Sequence, residues 1–515
     1  MSGDTMSGVL EPAPPAAAPH DQSRGPWAAV FALARFEARD LLGYLPVVAT
    51  LLLNLGYTGW RLVSAEGTDA YPALQDADRA TQGQPLLLGI VLFVCVNRAV
   101  LRSRRRDTDR HFDVLPVAPW RRTIAHLLSV VPFGVFTAAV VLGEFTWQAL
   151  RPGAVGHGSA GELAVGPLTV LLCGALGVLA ARLVPHTFAA PVLLVGLYTL
   201  FVFVTTGSTE ANWSRWLSAA VGENDGETLP SDLIGRPAGW HALYLTGLVL
   251  LAACVGVLAA GGRARPLKVC AAVAVGLTLT GAVAQSGGVS AELAAARKQA
   301  TVTPEKVQSC AEHGSSVYCA YPEWTGRAGT WATVVDRVQS LAGGTAAGQR
   351  LLVRQRVDST YGLESDTALN ASTTPGQVTV GTRWGGTRVP EFATAVASVL
   401  VAGDEEAGGE LCDGRVVTVM WLALGGAEDP LAELRTVRLD DSVRGSAIAL
   451  TPTGSLSMSA GQTGVVVELL ERPRAEVAAA VRAHWDELTG PGVTTAEAAR
   501  TLGADVPEGG DECER

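Results

Sequence analysis

The chain has 515 residues, 48% of them hydrophobic, and a mean hydropathy of +0.27. It is too apolar for an ordinary soluble protein and too mixed to lie entirely in a membrane, so two parts of different character are expected. Its net charge of −10 argues against a nucleic-acid partner, because phosphate binding needs a basic surface.

The N-terminal region changes character at about residue 27. Residues 1–26 are rich in proline and lack hydrophobic periodicity, which predicts a disordered cytoplasmic arm rather than a cleaved signal peptide. Residues 27–43 place Trp27, Phe31 and Ala34 on one helical face. This pattern predicts an amphipathic helix lying in the membrane interface. A simple cytoplasmic extension of the first span is the alternative.

Seven apolar stretches follow within residues 44–287, and they predict an all-α polytopic membrane domain. An apolar helix of about 20 residues satisfies its own backbone across the hydrocarbon core, which loops and open strands cannot do. The predicted spans are residues 44–62, 85–101, 126–147, 167–181, 187–206, 242–261 and 267–285, of which the second and the fourth are short.

The charges between the spans predict an orientation. Alternate threading places the arginine-rich connections 102–125, 182–186 and 262–266 on one side, and the opposite connections are acidic. Lys and Arg in short loops resist translocation, so the arginine-rich side is expected to be cytoplasmic. We therefore expect a multi-pass protein of the cell membrane, with a cytoplasmic N-terminus and an extracytoplasmic C-terminal domain.

A few polar side chains fall inside the spans, where such groups are costly and often functional. Asn54 and Glu144 are candidate residues of a translocation path. Glu144 lies near the outer end of its span, so contact with outer water is the alternative. Arg98 is expected to extend to the cytoplasmic surface.

Residues 288–515 predict a soluble α+β domain, large enough to bury its own core. Alternation predicts strands at residues 351–357, 377–382 and 464–469. Helical spacing predicts helices at residues 390–402, 415–424, 474–488 and 495–502.

The cysteines after the last span are Cys310, Cys319, Cys412 and Cys513. An even set confined to the exported part is what disulfides require, although four cysteines permit three pairings. Proximity favours Cys310 with Cys319, which leaves Cys412 with Cys513. Unpaired structural thiols are the alternative.

The connection after the second span has a distinctive order. A charged segment is followed by Asp113-Val-Leu-Pro-Val117 and then by Pro119-Trp-Arg-Arg122, which restarts the next helix. This order resembles the cytoplasmic coupling loop of ABC-2 type permeases, and the likeness extends over residues 27–262; the seventh span departs from it. The resemblance assigns coupling to an ATP-binding subunit to Asp107, Asp109, Arg110, Phe112, Asp113, Leu115, Pro116 and Trp120.

The resemblance implies a permease driven from outside the chain. The nearest phosphate-loop string, residues 343–350, lacks the lysine that such a loop needs. A separate cytoplasmic ATP-binding subunit and a second permease chain, identical or different, are therefore the implied partners, together with the lipid bilayer.

Catalysis by the chain itself is not expected, and neither is a cofactor or a metal. The C-terminal domain faintly resembles peptidase-like ectodomains, but a zinc protease needs two histidines one helical turn apart, and no histidine lies between His313 and His484. The alternative to a permease is a membrane-anchored receptor or scaffold with a ligand-sensing ectodomain and no transport.

Overall fold

The computed structural model describes residues 26–106, 118–186, 188–205, 216–219, 228–235, 237–359 and 369–508. The predicted arm, residues 1–26, therefore lies outside the described residues except for its last position. The helices of the N-terminal part are α1 (Pro26–Leu42), α2 (Leu45–Val63), α3 (Leu74–Ala80), α4 (Gly83–Val100), α5 (Arg102–Arg105), α6 (Pro119–Leu128), α7 (Val131–Ala149), α8 (Ala160–Leu183), α9 (Ala189–Thr205), α10 (Ala238–Ala259) and α11 (Arg265–Gln285).

Five helical segments of the described chain are long and apolar enough to cross a membrane. They are α3 with α4, α6 with α7, α8, α10 and α11. A sixth is formed if α1 and α2, which meet at 74°, count as one broken span. The remaining predicted span is α9, which is helical and apolar but has only 17 residues. The helical membrane part is thus confirmed in outline.

One predicted boundary is wrong. The fourth span was expected to begin at Pro167 and to be short, but α8 has 24 residues and Pro167 lies inside it. A proline removes one backbone donor, and neighbouring helices in a bundle tolerate that loss. Pro167 therefore lies in the interior of α8 and not, as the sequence had suggested, at its start.

Helix α1 confirms the predicted helix at residues 27–43, but its apolar residues divide between two faces. Val30 and Ala34 are buried against Ala125 of α6. Trp27 and Phe31 are 52% and 58% exposed. The exposed aromatic side chains are those expected of a helix that lies along a membrane surface.

The C-terminal part combines helices with two small sheets. Its helices are α12 (Ala291–Val302), α13 (Ala328–Gln339), α14 (Arg388–Ala402), α15 (Glu405–Gly409), α16 (Arg415–Leu424), α17 (Pro430–Val437), α18 (Ala460–Glu471), α19 (Arg474–Ala483), α20 (Trp485–Thr489) and α21 (Thr495–Leu502). Its strands are β1 (Ser309–His313), β2 (Ser316–Ala320), β3 (Leu352–Gln355), β4 (Gln377–Val380), β5 (Ala447–Thr451) and β6 (Gly454–Met458). The larger sheet has the order β1-β2-β3-β4, with β1 antiparallel to β2 and the other pairs parallel.

Most predicted elements of this domain are present, among them β3, β4, α14, α16 and α21. The strand predicted at residues 464–469 is wrong, because these residues belong to α18. The Ser459 side chain accepts a hydrogen bond from the backbone of Gln462, and the Gln462 side chain accepts one from the backbone of Ser459. This capping box starts a helix, and that local signal outweighs the β-branched run Val465-Val-Val467.

The C-terminal domain is docked on the connections between the membrane helices. Residues 64–73, 150–159 and 228–235 form what we call the domain-facing connections. Their apolar side chains Val155, Leu229 and Leu233 belong to the same core as Trp324 of the domain. The two parts therefore share one continuous apolar core.

Polar contacts reinforce this docking. Arg327 is 3% exposed and donates hydrogen bonds to the carbonyl oxygens of Tyr71 and Gly153, at 2.8 and 2.9 Å. Burial lowers the pKa of Arg327 to about 10, against a smaller opposing effect of Tyr71, so the guanidinium stays charged at neutral pH. The neighbouring Glu323 carboxylate accepts from the backbone of Ser231 at 3.1 Å.

The helices run from this docking face to an opposite end rich in arginine. Helix α4 begins near the domain and ends next to Arg102, α8 ends with Arg182 near its terminus, and α10 leads to Arg263. We call this the arginine-rich end. The docking face and the arginine-rich end are thus separated by the full length of the helices.

We expect replacement of Arg327 by glutamine to lower the free energy of unfolding by about 2 to 4 kcal/mol, because hydrogen bonds from a charged donor contribute roughly 1.5–3 kcal/mol each. Unfolding in detergent, followed by tryptophan fluorescence, measures the change. The control is Arg350→Gln, since Arg350 and its partner Glu312 are 65% and 71% exposed. Equal losses in both variants would show that Arg327 does not hold the domain in place.

Candidate functional site

An ion pair lies at the domain-facing end of the membrane helices. The last turn of α2 carries Arg61, and α7 carries Glu144. Arg61 Nη1 lies 3.2 Å from Glu144 Oε1, and their side chains are 26% and 5% exposed. A carboxylate this buried needs a charged partner, because isolated burial of a charge is very unfavourable. Arg61 supplies that partner.

Glu144 also lines a small cavity of about 10 Å³, room for about one water molecule, between α2, α4 and α7. Asn54, the other predicted path residue, lines the same cavity, together with Thr137 and Gln84. Gln84 accepts a hydrogen bond from Thr58 of α2 at 3.0 Å. The structure therefore brings Asn54 and Glu144 to one polar cavity within the helix bundle, which we call the inner cavity.

A second cavity of about 180 Å³ lies between α2 and the C-terminal domain. Arg61, Asp69 and Asp76 line it from the membrane part, and Arg383 and Trp384 line it from the domain. We call it the vestibule. Arg61 borders the vestibule while its partner Glu144 borders the inner cavity, so the ion pair lies between the two cavities.

Next to the vestibule, the backbone of the domain approaches the domain-facing connections closely. Gly67 of the domain-facing connections has a φ of +60°, and Gly385 of the domain has a φ of +93°. A Cβ atom on Gly385 would overlap the carbonyl oxygen of Gly67 and the ring of Tyr71. Glycine is therefore required on both steric and conformational grounds at this contact.

The predicted coupling residues are only partly described. Trp120 starts α6, where its ring packs edge-on against Trp27 of α1 at 6.3 Å and lies 5.0 Å from the Arg121 guanidinium. The other residues of the predicted coupling loop lie outside the described residues, and they are Asp107, Asp109, Arg110, Phe112, Asp113, Leu115 and Pro116. Trp120 thus joins the loop's end to α1.

The predicted Cys310–Cys319 disulfide is present, and it joins facing positions of β1 and β2. Cys412 is also disulfide-bonded. Its predicted partner, Cys513, lies outside the described residues. In the described part of the chain, no group of three or more His, Cys, Asp and Glu side chains is arranged to hold a metal ion.

Sequence reasoning missed Arg61. The signal was an arginine at the acidic end of a span, which runs against the charge bias of the other connections. Such a residue is expected either to extend to water or to pair with a buried acid, and Glu144 is that acid. The identity of the partner depends on how α2 and α7 pack together.

Comparison with known proteins adds no assignment: no protein-family model, curated protein or solved structure matches this chain.

The Arg61–Glu144 pair can be tested by a double-mutant cycle of Arg61→Gln and Glu144→Gln. We expect Arg61→Gln to destabilise more than Glu144→Gln, because it leaves the more deeply buried group without its partner. Double-mutant cycles of contacting charged residues give coupling energies of roughly 0.5–3 kcal/mol. Because this pair is buried, we expect a coupling energy in the upper half of that range. The exposed pair Arg350 and Glu312 serves as the control cycle. Equal coupling energies in denaturant unfolding would contradict the pairing.

Proposed function

We propose that the chain is the membrane-spanning permease subunit of an ABC exporter, which moves substrate by alternating access driven by a separate ATP-binding subunit. The observation that carries the proposal is the arrangement of two partly polar cavities, a small one and a larger one, on either side of the Arg61–Glu144 pair. A path through a helix bundle needs polar surface in its interior and a barrier that opens and closes. The ion pair supplies the barrier.

The helices connect the arginine-rich end to this barrier. The coupling loop leads into α6, and α6 contacts α1 through Trp120 and Ala125. Helix α1 continues through the 74° bend into α2, which carries Arg61. Docking of an ATP-binding subunit on the loop would therefore act on α2 through α1, and α2 would move Arg61 relative to Glu144.

The remaining parts of the proposal concern partners and placement. A second permease chain, identical or different, completes the path. Helix α11 offers a contact surface for it, because only 11% of the residues in its apolar stretch are buried. The N-terminus and the arginine-rich end face the cytoplasm, and the C-terminal domain lies outside. ATP hydrolysis belongs to the partner, and the chain itself is not an enzyme and needs no cofactor.

Copurification from the native cell tests the transport function. We expect an ATPase in stoichiometric amount, whose hydrolysis falls by about tenfold or more with Leu115→Asp, because a charge in an apolar contact costs at least ~1.4 kcal/mol of binding. Arg263→Gln, at the same end of the helices, is the control and leaves hydrolysis unchanged. Association and hydrolysis that survive Leu115→Asp would contradict coupling through this loop.

Cysteine labelling tests the orientation independently. Ser446 is an exposed residue of the C-terminal domain, and Arg263 is an exposed residue of the arginine-rich end. An impermeant thiol reagent should label Ser446→Cys on intact cells and Arg263→Cys only after lysis, with the unaltered protein as background. The reverse pattern would invert the proposed topology.

A membrane receptor or scaffold without transport is the second candidate. The docking of the C-terminal domain through Arg327 and Glu323 favours it, because a conformational change caused by ligand binding in the domain would be transmitted to the membrane helices. The copurification experiment separates the two functions. A receptor retains no stoichiometric ATPase, whereas a permease does.

A further inference from the structure

A third cavity lies at the arginine-rich end, between the start of α2 and the end of α4. It has a volume of about 360 Å³ and is lined by Tyr44, Pro46, Cys95, Arg98, Arg102, Arg105 and Arg106. Pro46 and Cys95 give it an apolar wall, and four arginines surround the opposite side. A cavity that combines an apolar wall with several guanidinium groups suits an amphiphilic anion.

One of the four arginines is held in place by carboxylates of α1. Arg102 Nη2 lies 3.0 Å from Glu37 Oε2 and 2.7 Å from Asp40 Oδ2. These contacts fix the end of α4 against α1 and therefore fix the shape of the cavity. Arg102 is thus a positioning residue whose charge is already balanced.

The other three arginines are differently placed. Arg98, Arg105 and Arg106 are exposed, and within the described part of the chain no carboxylate pairs with them. Several guanidinium groups around one cavity create a potential that attracts an anion. Guanidinium groups bind phosphate oxygens in a bidentate manner.

The position of the cavity decides between a soluble and a lipid-borne phosphate. Helix α1 exposes Trp27, Phe31 and Phe36, and it turns by 74° from α2, as a helix in the membrane interface does. Leu45, beside Tyr44, is 79% exposed at the start of α2. The cavity is therefore at the level of lipid headgroups, with apolar surface next to it for an acyl chain.

We propose that the cavity between the start of α2 and the end of α4 binds the phosphate headgroup of an anionic phospholipid through Arg98, Arg105 and Arg106. Pro46 and Cys95 accept the adjoining apolar part of the lipid. The lipid would lie beside Tyr44, at the joint between α1 and α2. This site does not depend on transport, so it stands or falls separately from the permease function.

Native mass spectrometry of the purified full chain tests the proposal. The protein in detergent is titrated with phosphatidylglycerol and with phosphatidylcholine of the same acyl chains. We expect the unaltered protein to bind phosphatidylglycerol at least tenfold more tightly. The triple variant Arg98→Gln, Arg105→Gln and Arg106→Gln should lose that preference, because each basic residue near an anionic headgroup contributes a roughly fivefold factor.

The control removes the same charge from the same end of the helices, through Arg263→Gln, Arg265→Gln and Lys268→Gln. This control variant should keep the preference for phosphatidylglycerol. The variant Arg98→Lys, Arg105→Lys and Arg106→Lys should retain part of that preference. Equal loss in the cavity and control variants would mean general charge attraction and would overturn the site. Displacement of the lipid by millimolar inorganic phosphate would mean a soluble ligand and would overturn the lipid assignment.

Discussion

The shared apolar core between the C-terminal domain and the domain-facing connections is the interaction on which the rest of the structure depends. The domain-facing connections contribute Val155, Leu229 and Leu233 to the core that contains Trp324 of the domain. Burial of apolar surface stabilises this contact by about 25 cal/mol for each Å² removed from water. It also places Trp384 over the end of α2, so the domain forms one wall of the vestibule.

The ion pairs at the two ends of the helix bundle differ in composition. At the docking face, the buried Glu144 carboxylate pairs with Arg61. At the arginine-rich end, the single cation Arg102 is shared by two carboxylates, Glu37 and Asp40. Both contacts join separate helices, because Arg61 links α2 to α7 and Arg102 links the segment after α4 to α1.

The membrane helices could be predicted from the sequence because hydrocarbon imposes length and apolarity on any segment that crosses it. Local signals were less reliable where two of them competed. Pro167 looked like a helix start and lies within α8, and residues 464–469 looked like a strand although Ser459 and Gln462 cap a helix there. The hairpin of β5 and β6 has short, half-exposed strands with weak alternation, and it was not predicted.

The candidate site was predictable only in part. Asn54 and Glu144 could each be chosen because polar groups within spans are rare, but their common cavity depends on how α2, α4 and α7 pack. Arg61 lies more than 320 positions from the lining residues Arg383 and Trp384, and they meet only when the domain docks. Contacts of this kind carry no local sequence pattern.

The 74° bend between α1 and α2 restricts how α2 can move. With α1 placed in the plane of the bilayer, the bend would hinder sliding of α2 along the membrane normal, and α2 would instead tilt about the joint at Gly43 and Tyr44. Arg61 lies about 24 Å from that joint at 1.5 Å per residue. A tilt of only about 5° would therefore carry its guanidinium by roughly 2 Å, which is enough to break a contact of 3.2 Å.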